Sequence, residues 1–130
     1  MKNTIFEVIK YAYYLSLIAL LFLYLFPGSL VGFFLYGDLG KQPNLISNPF
    51  GASINHLIFF FYLSTHGFIV NLKYKKLIYS FSFLFCASIF FELLHLIIPN
   101  RAFELNDLLA NSLGVVSAFF IFNLIRKFKS

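Results

Sequence analysis

Residues 77–98, with the sequence LIYSFSFLFCASIFFELLHLII, decide the fold class of this chain. The segment is apolar over about the 20 residues that an α-helix needs to cross the hydrocarbon layer of a bilayer. It lacks the strict alternation of polar and apolar side chains that is typical of a membrane β-strand. Because backbone groups in lipid must find hydrogen-bond partners within the segment itself, only a helix fits. The segment therefore predicts a transmembrane helix.

Three further apolar segments flank it, at residues 5–26, 54–71 and 107–125. Hydrophobic residues make up 60% of the chain and charged residues 12%, whereas soluble globular proteins contain about 45–50% apolar residues. A soluble domain of 130 residues has too little interior to hide this apolar surface. The sequence predicts an all-α integral membrane protein, in which residues 1–130 form one domain with a bundle of four transmembrane helices.

Basic residues predict the orientation of the bundle. Of the ten Lys and Arg residues, only Lys41 and Arg101 lie in the first and third connections. The other eight lie near the termini or in the second connection, at Lys2, Lys10, Lys73, Lys75, Lys76, Arg126, Lys127 and Lys129. Since cytoplasmic segments carry the excess of Lys and Arg, both termini are expected in the cytoplasm. Basic residues at segment ends, rather than in a stripe, do not indicate a nucleic-acid partner.

The first connection is long and contains a second apolar stretch, residues 28–36. This stretch is too short to cross a bilayer. Three placements remain open from the sequence: in the membrane interface, re-entrant between helices, or as a continuation of the first helix.

Glu92 and His95 are polar residues inside the third apolar segment. They are three residues apart and therefore share a helix face. Glu92 lies about 10 Å inward from Pro99, at 1.5 Å per residue, and a carboxylate at such a depth needs a partner, a proton or a wet cavity. Arg101, just past Pro99 and Asn100, could fold back to reach Glu92. This contact could be a structural ion pair or part of a chemical site.

Asp107 and Asn111 lie on one stripe of the fourth segment, together with Gly114 and Ala118. The small residues predict a helix-packing face. Alternatively, the role of Asp107 could be limited to capping the start of the helix, a position at which Asp is favoured. His56 opens the second segment. The predicted orientation brings these residues to the outer leaflet, where the candidate site comprises His56, Glu92, His95, Arg101, Asp107 and Asn111.

A metal centre is not expected. The Glu92-x-x-His95 spacing occurs in di-metal helical bundles, but those need two such motifs and two further carboxylates. A mononuclear site formed by His56, His95 and Asp107 is the weaker alternative. No nucleophile-elbow motif accompanies the histidines, and no phosphate-binding glycine loop is present. We therefore predict neither a metal nor another cofactor.

Residues 92–101 (ELLHLIIPNR) and 107–114 (DLLANSLG) resemble the signature of the VanZ-like family. That family carries a Glu in its third helix, an Arg after a Pro, and Asp, Asn and Gly at the start of its fourth helix. His56 and Pro27 also match. Departures occur at residues 52 and 53, where the family often has Asp-Lys, at His95, where Gln is common, and at Ala118, where Gly is common. The resemblance implies a multi-pass protein of the bacterial inner membrane, in a family named for a teicoplanin-resistance protein.

Three functions agree with these observations. The favoured hypothesis is a non-enzymatic envelope protein that binds an amphiphilic or lipid-linked ligand in an outer-leaflet polar pocket and influences teicoplanin-type susceptibility. The second is a small membrane enzyme acting on a lipid phosphate or ester. The third is a scaffold subunit that packs its Gly114 face against another membrane protein.

Overall fold

A computed structural model of the chain describes residues 2–43, 53–72 and 76–129. These ranges contain five helices and no strand: α1 Lys2–Leu25, α2 Leu30–Tyr36, α3 Ser53–Leu72, α4 Leu77–Leu94 and α5 Leu105–Lys129. All but α2 are long and apolar enough to span a membrane. The predicted all-α architecture with four candidate transmembrane helices is therefore confirmed. Ala52 and the predicted inner turn at Lys73 and Lys75 lie outside the described residues.

Helix α3 lies at the centre of the bundle. It contacts α1, α4 and α5, and its largest contact is with α5. Its side chains Phe60, Leu63 and Phe68 are fully buried. By contrast, every candidate spanning helix carries large apolar side chains that are exposed in the described part of the chain. Such an exposed apolar surface requires lipid rather than water as its solvent, so the chain is a multi-pass membrane protein.

Gly114 lets α5 approach α3 closely. A Cβ atom at this position would lie 2.6 Å from the carbonyl oxygen of Leu57 and 3.0 Å from the Cβ of Phe60. Only glycine leaves room for the α3 backbone here. Ala118, one turn further along α5, is also buried in the core. Because α3 of the same chain covers Gly114, this face no longer argues for a scaffold partner.

Helix α4 ends at Leu94, not at Ile98 as the sequence suggested. Beyond this point the amides of Leu96 and Ile97 bond carbonyls three residues back, so the chain tightens into turns. Pro99 disfavours helical geometry in the residue before it, and Asn100 is left-handed with φ of 58°. Glu92 therefore lies in the last turn of its helix, nearer the end than the predicted 10 Å.

Helix α2 is separate from α1 rather than its continuation. Ser29 caps it by accepting a hydrogen bond at 2.9 Å from the amide of Gly32, and Gly37 ends it in the left-handed conformation with φ of 70°. A Cβ atom at Gly32 would lie 1.7 Å from the carbonyl oxygen of Lys41. The chain after α2 thus folds back directly onto this helix.

Candidate functional site

A buried hydrogen-bond network joins four helices at the end of the bundle where α1 ends and α5 begins. Asn111 of α5 is its centre and is fully buried. Its Oδ1 accepts a hydrogen bond from the Tyr24 hydroxyl at 3.0 Å and lies 3.2 Å from His56 Nδ1. Its Nδ2 donates to Glu92 Oε2 at 3.4 Å and to the carbonyl oxygen of Ser88 at 3.5 Å. One amide therefore ties α1, α3, α4 and α5 together.

Asp107 extends this network toward the start of α3. Its Oδ1 accepts a hydrogen bond from the Ser53 hydroxyl at 2.8 Å, and its Oδ2 lies 3.5 Å from His56 Nε2. The helix begins two residues before it, at Leu105. Asp107 is therefore not the N-cap that the sequence allowed, and its carboxylate is directed to residues of α3.

Glu92 and His95 form a second pair in the network. Glu92 Oε1 lies 3.2 Å from His95 Nδ1 and accepts a hydrogen bond from the amide of Glu104 at 3.3 Å. Glu92 is fully buried and His95 is 4% exposed. The ring of His95 stacks on Tyr24 at a centroid distance of 5.2 Å. Among the described residues, no group hydrogen-bonds His95 Nε2, which is itself buried. We call Tyr24, His56, Glu92, His95, Asp107 and Asn111 the polar network.

Arg101 contacts the end of α1 instead of Glu92. Its Nε donates to the carbonyl oxygen of Phe26 at 3.4 Å, and one of its terminal nitrogens donates to the carbonyl oxygen of Leu23. Leu23 lies in the last turn of α1 and Phe26 directly follows the helix. The last carbonyls of a helix lack intrahelical partners, and a cation is favoured at this end. Burial lowers the pKa of Arg101, whereas Tyr24 and Glu92 raise it. The predicted Glu92–Arg101 ion pair is wrong.

A pocket of about 210 Å³ adjoins the network. Its apolar walls come from Leu23 and Phe59 together with Leu30 and Val31 of α2. Its polar lining comes from the first connection, from α3, and from the segment that follows α4. The polar lining residues are Ser29, Gln42, Asn55, His56, His95 and Arg101. An arginine, two histidines and an aliphatic wall therefore meet in one concave site, the combination that is typical of small-ligand pockets.

The structure brings together potential metal ligands from three helices. One donor atom each of His56, Glu92 and Asp107 lies within 4.8 Å of the other two. The sequence had suggested His95 as the third member of a mononuclear site. The structure instead supplies Glu92, because His95 directs Nδ1 toward Glu92.

All six predicted site residues border the network or the pocket, although Arg101 does so through different partners. The sequence analysis missed Tyr24 and Ser53. Tyr24 lies three residues before the Pro27 that follows the first span, a position where an interfacial tyrosine is common. That signal marks Tyr24 as membrane-interfacial but does not reveal its contact with Asn111. Ser53 gave no signal, since its role depends on a carboxylate from a distant helix.

Comparison with known proteins agrees with the signature residues. The family model described as VanZ/LLP1 matches residues 5–126. Neither curated proteins nor solved structures gave a significant match. The family model covers all four candidate spans almost completely, including every residue of the polar network. On this evidence, the chain belongs to the VanZ/LLP1 family.

Proposed function

We propose that this protein binds the anionic headgroup and the adjoining hydrocarbon of an amphiphile, such as a lipid-linked cell-wall component, in the 210 Å³ pocket. One observation carries the proposal: a guanidinium group and an aliphatic wall line the same small cavity. Through this binding, the protein influences bacterial susceptibility to teicoplanin-type glycopeptides, as the family name suggests.

Arg101 is the anchor for the headgroup. A guanidinium carries five N–H donors, of which the contacts to Leu23 and Phe26 use two, so three remain. Arg is the side chain best suited to a phosphate or carboxylate, because its planar donors match two anionic oxygens at once. The carbonyls that hold its other edge keep the group in place before the ligand arrives.

The size of the pocket limits the ligand. Sites for drug-sized molecules occupy about 300–1,000 Å³, and the cavity here is about 210 Å³. It suits a headgroup with a short length of chain, not an entire glycopeptide antibiotic. The rest of the ligand's hydrocarbon chain would lie along the apolar residues of α2 and α1. This favours a membrane lipid over the antibiotic as the direct ligand.

The orientation rule supports a location at the outer leaflet of the bacterial inner membrane. Eight of ten basic residues belong to the termini or the second connection, whereas residues of the first and third connections line the pocket, and cytoplasmic segments carry the excess of Lys and Arg. We accordingly propose that both termini are cytoplasmic and that the pocket opens toward the cell wall.

A bulky residue in the pocket tests the proposal. Val31→Trp fills the cavity, whereas Phe34→Trp alters a residue of the same helix that is 81% exposed and does not line it. Native mass spectrometry of the purified protein compares a polyprenyl phosphate with the uncharged polyprenol. We expect at least tenfold weaker phosphate binding in Val31→Trp, with Phe34→Trp like the wild type, and the same ranking for teicoplanin susceptibility in cells. The proposal would be contradicted if both variants bound the polyprenyl phosphate equally well. It would also be contradicted if the wild type bound the polyprenol as well as the polyprenyl phosphate.

A second candidate function, hydrolysis of a lipid phosphate or ester, is favoured by the Glu92–His95 pair. A carboxylate that accepts from Nδ1 leaves Nε2 as the basic nitrogen, and His95 borders the pocket beside Arg101. In this reading His95 is the acid–base group and Arg101 stabilises the anion. Purified protein should then release phosphate or fatty acid from a lipid panel, and His95→Gln should abolish turnover while lipid binding remains. No turnover by the wild type, with and without divalent metal, would rule this reading out.

A further inference from the structure

We propose that His56, Glu92 and Asp107 bind one divalent first-row transition-metal ion, of the Zn²⁺ or Mn²⁺ type, in the wall of the pocket. The three residues come from α3, α4 and α5, and one donor atom of each lies within 4.8 Å of the others. Bonds from such ions to nitrogen and oxygen measure about 2.0–2.2 Å, so two ligands of one ion lie at most about 4.4 Å apart. The side chains need to move only by a few tenths of an ångström to close on an ion.

The hydrogen bonds around His56 leave one ring nitrogen available to a metal. Asn111 uses its Nδ2 on two acceptors, Glu92 Oε2 and the Ser88 carbonyl, so its Oδ1 is the acceptor on the other side. His56 Nδ1 lies 3.2 Å from this Oδ1 and 2.7 Å from the Tyr24 hydroxyl. Because the Tyr24 hydroxyl donates its one proton to the same Oδ1, we assign the proton of these contacts to Nδ1. The neutral ring then has its lone pair on Nε2, which is the form in which imidazole binds metals.

This tautomer creates a contact that calls for a cation. His56 Nε2 lies 3.5 Å from Asp107 Oδ2, so in this tautomer a nitrogen lone pair faces a carboxylate oxygen. Glu92 brings a second carboxyl group, one oxygen of which lies within 4.8 Å of a ring nitrogen of His56 and of an oxygen of Asp107. Arg101, which lines the same pocket, donates to the carbonyl oxygens of Leu23 and Phe26 instead. A divalent ion between the three groups would balance both carboxylates and use the lone pair.

Each ligand is also oriented by a second hydrogen bond, as metal ligands usually are. Tyr24 and Asn111 hold Nδ1 of His56. The Ser53 hydroxyl donates to the other oxygen of Asp107. Asn111 and the amide of Glu104 donate to the two oxygens of Glu92. Three ligands prepared in this way resemble a metal site more closely than a chance cluster.

The donor set defines the class of ion. One imidazole and two carboxylates suit Zn²⁺ and Mn²⁺, whereas Mg²⁺ and Ca²⁺ prefer oxygen ligands only. Three protein ligands are fewer than the four of a structural zinc site, so a coordination position stays open. His56 lines the pocket, which gives a small ligand a route to that position. The proposal concerns metal binding alone and does not depend on amphiphile binding.

Metal titration without added amphiphile tests the inference. The protein, purified in detergent and stripped with a chelator, is titrated with Zn²⁺, Mn²⁺ or Mg²⁺, and bound metal is measured after equilibrium dialysis by elemental mass spectrometry. We expect one Zn²⁺ or Mn²⁺ per chain. Asp107→Asn and His56→Gln should each weaken binding at least 100-fold. His66→Gln is the matched control, because His66 also lies on α3 but contacts the carbonyl oxygen of Tyr62.

Two further measurements keep the test decisive. Circular dichroism and gel filtration establish whether each ligand variant still folds. If one does not, Tyr24→Phe replaces it, since this change keeps the ring and removes only the hydroxyl beside His56 Nδ1; about tenfold weaker metal binding is expected from the loss of an orienting group. Failure of the wild type to bind Zn²⁺ or Mn²⁺, binding of Mg²⁺ alone, or unchanged binding in folded ligand variants would overturn the inference.

Discussion

Replacing Asn111 with Leu isolates the contribution of the polar network to stability. The two side chains have nearly the same shape, so Asn111→Leu removes hydrogen bonds without opening a large cavity. The site is fully buried, and water cannot take over the lost contacts. The substitution therefore measures the cost of leaving polar groups without partners inside a membrane protein.

The expected magnitude follows from the partners that remain. Tyr24 keeps its contact with His56, and Glu92 Oε1 keeps both His95 and the amide of Glu104. Glu92 Oε2 loses the Asn111 amide, its hydrogen-bond donor in the described structure. A buried group left without its partner costs about 1–3 kcal/mol, and more when it is charged. With the partial loss at Tyr24 added, we expect Asn111→Leu to destabilise the fold by about 2–4 kcal/mol.

Equilibrium unfolding in mixed detergent micelles, followed by circular dichroism, provides the measurement. Asn106→Leu makes the same substitution at an exposed position five residues earlier and should shift the free energy of unfolding by no more than about 0.5 kcal/mol. If the two variants unfold alike, the network does not hold the four helices together and the reasoning fails.

Two other predictions concern packing and orientation. Gly114→Leu should destabilise the bundle by about 1–3 kcal/mol or more through overpacking, because even its Cβ would lie 2.6 Å from the Leu57 carbonyl oxygen. Gly40→Leu, where the nearest atom to a Cβ is 3.4 Å away, should be nearly neutral in the same unfolding assay. In a Cys86→Ala background, a cysteine at Asp38 should react with an impermeant maleimide in cells stripped of their wall. A cysteine at Ser130 should react only after lysis, and labelling of Ser130→Cys before lysis would reverse the proposed orientation.

The four spans could be predicted because lipid imposes a length and a composition that are visible along the chain. The gathering of His56, Glu92, Asp107 and Asn111 followed from the same reasoning. Segments of similar length align their ends, so polar residues near the ends of three spans that meet on one side of the bundle must share a depth. One contact within that layer could also be predicted from the sequence, because Glu92 and His95 are three residues apart and share a helix face.

The partner of Arg101 could not be predicted, because it depends on where the end of α1 lies relative to a connection far along the chain. Charge attraction alone suggested Glu92, but the carbonyl oxygens of Leu23 and Phe26 offer a cation two acceptors at once. Helix α2 escaped prediction for another reason. Its cap at Ser29 is local, but its close approach to Lys41 arises only when the connection folds back on itself.

The contact between Arg101 and α1 has a consequence for biosynthesis. Its two hydrogen bonds join residues 75 and 78 positions apart, so they form only after α4 has left the ribosome and entered the bilayer. Until then, the carbonyl oxygens of Leu23 and Phe26 lack their hydrogen bonds to Arg101. The pocket is consequently a late product of insertion, completed when the second half of the chain closes over the first.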